Sequence, residues 1–166
     1  MISRFIVSCL FIFVSAAQPL AASEKELEEL VINQLKCREK PNPLPVLLLL
    51  EKYEKIRADE LVGYDSISCF RIHGGISVRG LTLRSICAYE NSAGIREVRP
   101  DLLYRGPGTA PNPFISFGTT VEFKGVQEWY LSNIGIEYLN RAIETERTTF
   151  GDNTEISCKD YFRDKY

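Results

Sequence analysis

The sequence predicts an α+β fold: an N-terminal αα-hairpin, an antiparallel β-meander and a C-terminal helix, held by two disulfides. Three observations predict it. Apolar residues recur at helical spacing before Gly63 and alternate after it. Gly, Pro and Asn clusters punctuate the alternating part. Four cysteines follow a segment laid out as a secretory signal.

That segment comes first. Met1–Arg4 carries one positive charge, and Phe5–Ala17 is an almost unbroken apolar run. Pro19-Leu20-Ala21-Ala22 then supplies small residues before the charged Glu24-Lys25-Glu26. This order predicts a signal peptide over residues 1–22, cleaved after Ala22. The run is shorter than the ~20 residues a membrane-spanning helix needs. Cys9 lies inside it and reads as a hydrophobic filler. No second apolar span follows. The expectation is a single soluble exported domain over residues 23–166, with no membrane span after signal cleavage.

The elements of that domain follow in order. Ser23-x-x-Glu26 is a capping box, and Leu27, Leu30, Val31 and Leu35 repeat at helical spacing behind it. Pro41 and Pro43 stop this helix by Lys40. Pro45 opens a second helix through Val46–Leu50, Tyr53 and Ile56, with Glu51 and Lys55 as an i,i+4 pair. Residues 67–72 suit a strand. Gly74-Gly75 is a turn signal, and Gly80 suits a bulge. Leu81, Leu83, Cys87 and Tyr89 then resume on one face. Asn91–Gly94 predicts a turn. Arg96–Val98 and Leu102–Tyr104 are short strand candidates. Phe114–Lys124 alternates as a longer strand. Val126, Trp129 and Tyr130 begin a helix after Gly125, kinked or broken at Gly135 and continued by Ile136, Leu139 and Ile143. Trp129 suits the core and Tyr130 its edge. Glu155–Cys158 makes a last strand.

Charge and cysteines limit function. Of 20 Lys and Arg only Arg4 falls in the leader, so 19 remain against 22 Asp and Glu, a net charge of −3. A mildly acidic chain lacks the basic face of a nucleic-acid binder. Cys37, Cys69, Cys87 and Cys158 form no CxxC pair, which favours disulfides over metal. Three pairings are open. A shared meander favours Cys69–Cys87, which leaves Cys37–Cys158 to tie the first helix to the C-terminal segment.

Catalytic devices are sparse. The sole imidazole, His73, stands beside Gly74-Gly75 at a predicted hairpin tip and reads as a solvated turn residue. There is no G-x-S-x-G, no H-E-x-x-H and no phosphate-binding glycine loop, so neither a metal nor a cofactor is expected. Glu90, Glu97, Asp101 and Glu122 are carboxylates that adjacent strands could bring together for glycoside hydrolysis.

The most distinctive segment is Pro100–Pro113, which holds four of the chain's eight prolines. Prolines restrict the unbound loop and so lower the entropic cost of binding. Tyr104 and Arg105 are residue types enriched at binding hot spots. With Gly106, Gly108, Thr109 and Asn112 they make a candidate recognition loop. Arg105 beside glycine N–H groups suits a carboxylate or phosphate. The alternative is a stiff crossover with Arg105 paired to an internal acid.

The leading reading is a non-enzymatic exported binding protein, periplasmic rather than fully secreted, with a protein partner in the envelope. In concrete form it is an inhibitor or immunity protein for an envelope-targeting hydrolase. The alternatives are a carboxylate-dependent hydrolase of envelope polymers and a structural or assembly factor of the envelope.

Overall fold

The computed structural model describes residues 18–90, 92–107, 112–136, 143–144 and 149–158. Among them run α1 (Gln18–Leu35), α2 (Pro43–Lys52), a 3-10 turn (Ala58–Glu60), β1 (Val62–Tyr64), β2 (Ile67–Val78) and β3 (Leu81–Tyr89). Then come α3 (Ala93–Val98), β4 (Phe114–Thr119), α4 (Phe123–Asn133), β5 (Ile143–Glu144) and β6 (Thr154–Ser157). The strands form one antiparallel sheet in the order β1-β2-β3-β4-β6-β5. The α+β expectation holds, with helices, then a meander, then a helix and a closing strand.

The helical hairpin forms because its inner faces are apolar. Leu27, Val31, Ile32 and Leu35 of α1 meet Val46, Leu47, Leu49 and Leu50 of α2 in the main core. Among the described residues α1 already includes Leu20-Ala21-Ala22, strong helix formers, so Ser23 lies inside the helix and the expected capping box does not start it. It ends at Leu35, and two residues on Cys37 takes a left-handed conformation (φ 50°) that turns the chain away. α2 opens at Pro43 rather than Pro45 and closes at Lys52, so Lys55 is outside the helix and the Glu51–Lys55 pair does not form.

One face of the sheet covers this core through Phe70, Ile72, Ile76, Val78, Ile86, Ile115, Phe117 and Ile156. Cys69, Cys87, Tyr89 and Phe114 make a smaller cluster on the other face. Both favoured disulfides are present. Cys69 and Cys87 are directly opposed on β2 and β3, with Cα atoms 4.1 Å apart. Cys37 and Cys158 join α1 to the chain after β6, with Cα atoms 5.5 Å apart.

The β2–β3 hairpin inverts the expected turn and bulge. β2 runs through Gly74-Gly75, and the chain reverses at Arg79-Gly80, where φ is 45° and 82°. Val78 then faces Leu81 and Ile76 faces Leu83. A two-residue turn at Gly74-Gly75 would have set Ile76 opposite His73 and Val78 opposite Arg71, joining apolar to polar side chains across the ladder. The glycines instead absorb a bulge: between the Arg71–Ser85 and Ile76–Leu83 pairs, β2 carries four residues and β3 one. Alternation slips there, so Leu83 and Ile86 both face the main core. Leu81 and Leu83 therefore do not share a face with Cys87 and Tyr89.

Other expectations change locally. Arg96–Val98 lies in the short helix α3, and Leu102–Tyr104 is irregular chain, not strand. Phe123 and Lys124 belong to α4, and β4 stops at Thr119. α4 ends at Asn133, so the expected break is present just before Gly135 (φ 119°), and Ile143 lies in β5 rather than in a continued helix. Leu139 lies outside the described residues.

Candidate functional site

The Tyr104–Gly106 segment is fastened to the β1–β2 hairpin. That hairpin turns through Asp65-Ser66, both left-handed (φ 43° and 69°), which carries the Ser66 side chain inward to 1% exposure. The Ser66 hydroxyl accepts from Arg105 Nη1 at 3.0 Å and donates to the Gly106 carbonyl at 3.1 Å. Ser68 Oγ accepts the Tyr104 backbone N–H at 2.6 Å. The Tyr104 ring fits against two glycines. A Cβ on Gly63 would lie 2.6 Å from its ring carbons, and one on Gly106 would lie 2.8 Å from its Cε1. Leu102 and Leu103, buried in the main core, fix the chain just upstream.

Three of the six predicted loop residues, Tyr104, Arg105 and Gly106, are thus brought together. Asn112 is exposed at the far end, just before buried Pro113 and β4. Gly108 and Thr109 lie outside the described residues. Arg105 itself is exposed and has no carboxylate within 4.0 Å among the described residues. Its structural partner is a serine, not the internal acid that the crossover alternative requires. A guanidinium has five N–H donors. With Nη1 held by Ser66, the remaining donors are free in orientation to engage a carboxylate or phosphate.

His73 is not at a hairpin tip. It sits in the β2 bulge, its backbone N–H bonded to the Lys55 carbonyl at 2.8 Å and Nε2 at 2.5 Å from Glu60 Oε2. Around it lies an open dish of charged groups. Arg57 hydrogen-bonds both carboxylate oxygens of Asp59 (3.1 and 2.7 Å). That bond holds Asp59 below and Arg57 above their ordinary values. Arg99 forks to Glu51 at 2.8 and 2.7 Å and to Asp101 at 2.9 and 2.6 Å. The Asp101 bond is the larger cause raising Arg99, and the same bond lowers Asp101. These are mutually satisfied surface ions, and among the described residues no nucleophile pairs with His73.

The four hydrolase carboxylates do not converge across adjacent strands. Glu97 lies in α3 and Asp101 is bound to Arg99. Glu90 follows β3 at the end where Tyr89 pairs with Phe114, and Glu122 follows β4 beyond Thr119 at the opposite end. Glu90 accepts the Ser92 backbone N–H, and Glu122 accepts from the Asn153 amide. No group of three or more His, Cys, Asp or Glu among the described residues is placed to hold a metal.

Sequence reading passed over Ser66, Ser68 and Gly63, whose roles depend on contact with a segment some 40 residues away. It also exchanged two aromatics. Tyr130 is fully buried, donating to the Leu35 carbonyl at 2.7 Å, whereas Trp129 is half-buried and donates from Nε1 to the Arg79 carbonyl at 3.0 Å. Among the described residues no helix is long and apolar enough to cross a membrane. No protein-family model, curated protein or solved structure matches this chain.

Proposed function

We propose that this is an exported, non-enzymatic binding protein of the envelope whose recognition element is the Tyr104–Asn112 loop with Arg105 at its centre. The observation that carries it is the fastening of Tyr104–Gly106 by the Ser66 and Ser68 hydroxyls while the Arg105 side chain stays exposed. A backbone already ordered before binding removes part of the entropic cost of complex formation. An exposed guanidinium held at one nitrogen leaves its other donors available to a partner. The disulfides fit export into an oxidising compartment. The concrete form is an inhibitor or immunity protein that places Arg105 against an acidic site of an envelope-targeting hydrolase, in the periplasm.

The test runs wild type and Arg105→Ala side by side against an envelope extract of the source organism. Retained proteins are identified by mass spectrometry, and hydrolase activity of the extract is titrated with each protein. A partner retained by wild type alone, with inhibition at least about tenfold weaker for the variant, is expected for a hot-spot arginine. Equal retention and equal inhibition by both proteins, or none by either, overturns the proposal.

A further inference from the structure

The β2 bulge shapes a second feature, apart from the loop. Where β2 passes α1 and the residues after α2, Gly75 (φ 68°) redirects the strand, and a cleft of about 310 Å³ lies alongside. Its floor is apolar: Leu27 and Ile76, 4% and 7% exposed, lie over fully buried Val78. Half-buried Tyr53 contributes to the wall. At roughly 30 Å³ per water-sized group, this volume suits a ligand of about ten non-hydrogen atoms. It stands at the small end of ligand pockets, which begin near ~300 Å³.

The charges lining the cleft come from different elements. Glu24 and Glu28 are one helical turn apart on α1. Glu28 is steadied there by the Arg79 backbone N–H at 3.3 Å. Lys55 comes from the chain after α2 and is half-buried. Its ammonium donates to the Gly75 carbonyl at 3.4 Å, and among the described residues no carboxylate lies within 4.0 Å of it. An ammonium held at a cleft without an opposing carboxylate favours an anionic guest group, and the α1 glutamates favour a cationic one.

We infer that this cleft binds a free apolar α-amino acid of leucine to phenylalanine size. Its carboxylate meets Lys55, its ammonium meets Glu24 and Glu28, and its side chain packs on Leu27, Ile76 and Tyr53. A zwitterion with an apolar body answers both signs of charge and the floor at once. A fatty acid leaves the glutamates unmatched, and an alkylamine leaves Lys55 unmatched.

The test titrates the purified protein with L-leucine and L-phenylalanine, following the backbone amides of Leu27, Tyr53 and Ile76–Val78 by NMR. Saturable shifts at these amides are expected. N-acetyl-leucine and leucinamide, each lacking one charge, bind about tenfold more weakly, as befits loss of one charge-assisted hydrogen bond. Lys55→Gln lowers affinity for leucine by a similar factor and leaves that for leucinamide unchanged. Thermal melting checks that this variant is folded, and if it is not, the capped ligands on wild type decide. Absence of saturable shifts at these amides, or equal affinity for capped and uncapped forms, overturns the inference.

Discussion

Arg105 and Ser66 meet at 3.0 Å, and the serine hydroxyl passes the contact on to the Gly106 backbone. The two residues are 39 apart in sequence, so this bond joins the β1–β2 turn to the proline-rich crossover. The contact separates what holds the loop from what the loop presents. Ser66→Ala removes a buried hydroxyl and leaves the Gly106 carbonyl without it, for a cost of about 1–3 kcal/mol in urea unfolding. Arg105→Ala removes an exposed donor and costs no more than about 1 kcal/mol. Equal losses for the two variants would place Arg105 among the structural residues.

The Tyr104 ring tests the same fastening from the other side. A methyl group at Gly63 would stand 2.6 Å from the ring, closer than carbon atoms approach. Gly63→Ala is expected to displace Tyr104 and cost about 1–3 kcal/mol, the range for overpacking. Tyr104→Ala in the Gly63→Ala background should recover part of that loss. Additive losses in the double-mutant cycle would mean that the methyl and the ring do not compete for space.

Burial makes the Tyr130 hydroxyl a further stability determinant. It bridges α4 to the last carbonyl of α1 at 2.7 Å. Tyr130→Phe keeps the ring and leaves the Leu35 carbonyl without this donor, for an expected loss of about 1–2 kcal/mol by equilibrium unfolding. A change below about 0.5 kcal/mol would show that water takes over the bond.

The two disulfides should differ in weight. Cys37–Cys158 spans 121 residues and Cys69–Cys87 spans 18. Loop-closure entropy assigns them about 5 and about 3 kcal/mol. Cys69 and Cys87 are also ladder partners, so the sheet already brings them together. The double Cys→Ala variant at 37 and 158 is expected to lose more stability than the one at 69 and 87. The reverse order in denaturant midpoints would contradict the loop-length argument.

The Arg99–Asp101 bond predicts an acid dependence with a definite sign. The hydrogen bond from Arg99 lowers the Asp101 carboxyl in the folded protein. Its contribution is therefore present above the unfolded carboxyl value, ~3.9, and is lost as pH falls through the lower folded value. The Asp101 side chain is 45% exposed, so the effect is small, about 0.5–1 kcal/mol near pH 6. Asp101→Asn should be less stable than wild type near pH 6 and converge with it at strongly acidic pH. A constant difference across that range would remove the ion pair as its cause.

Sequence by itself determined the class of fold and that four cysteines pair, while the tertiary structure selected Cys37–Cys158 and Cys69–Cys87 from the three open pairings. The α1 and α2 faces, the presence of strands at β2, β3 and β4 and the cysteine parity are local or counting signals that survive into the structure, while the alternation along β2 and β3 slips at the bulge. Tertiary structure decided where β2 turns, because Gly-Gly suits a turn or a bulge equally. Only the pairing of Ile76 and Val78 with Leu83 and Leu81 selects Arg79-Gly80. It also decided that Tyr130 goes inside and Trp129 to the edge, since helical spacing gives a face and not a depth. The same holds at the candidate site. Tyr104 and Arg105 were legible as residue types, but Ser66, Ser68 and Gly63 acquire their roles only when a distant hairpin lies against the loop, a relation that no local pattern encodes.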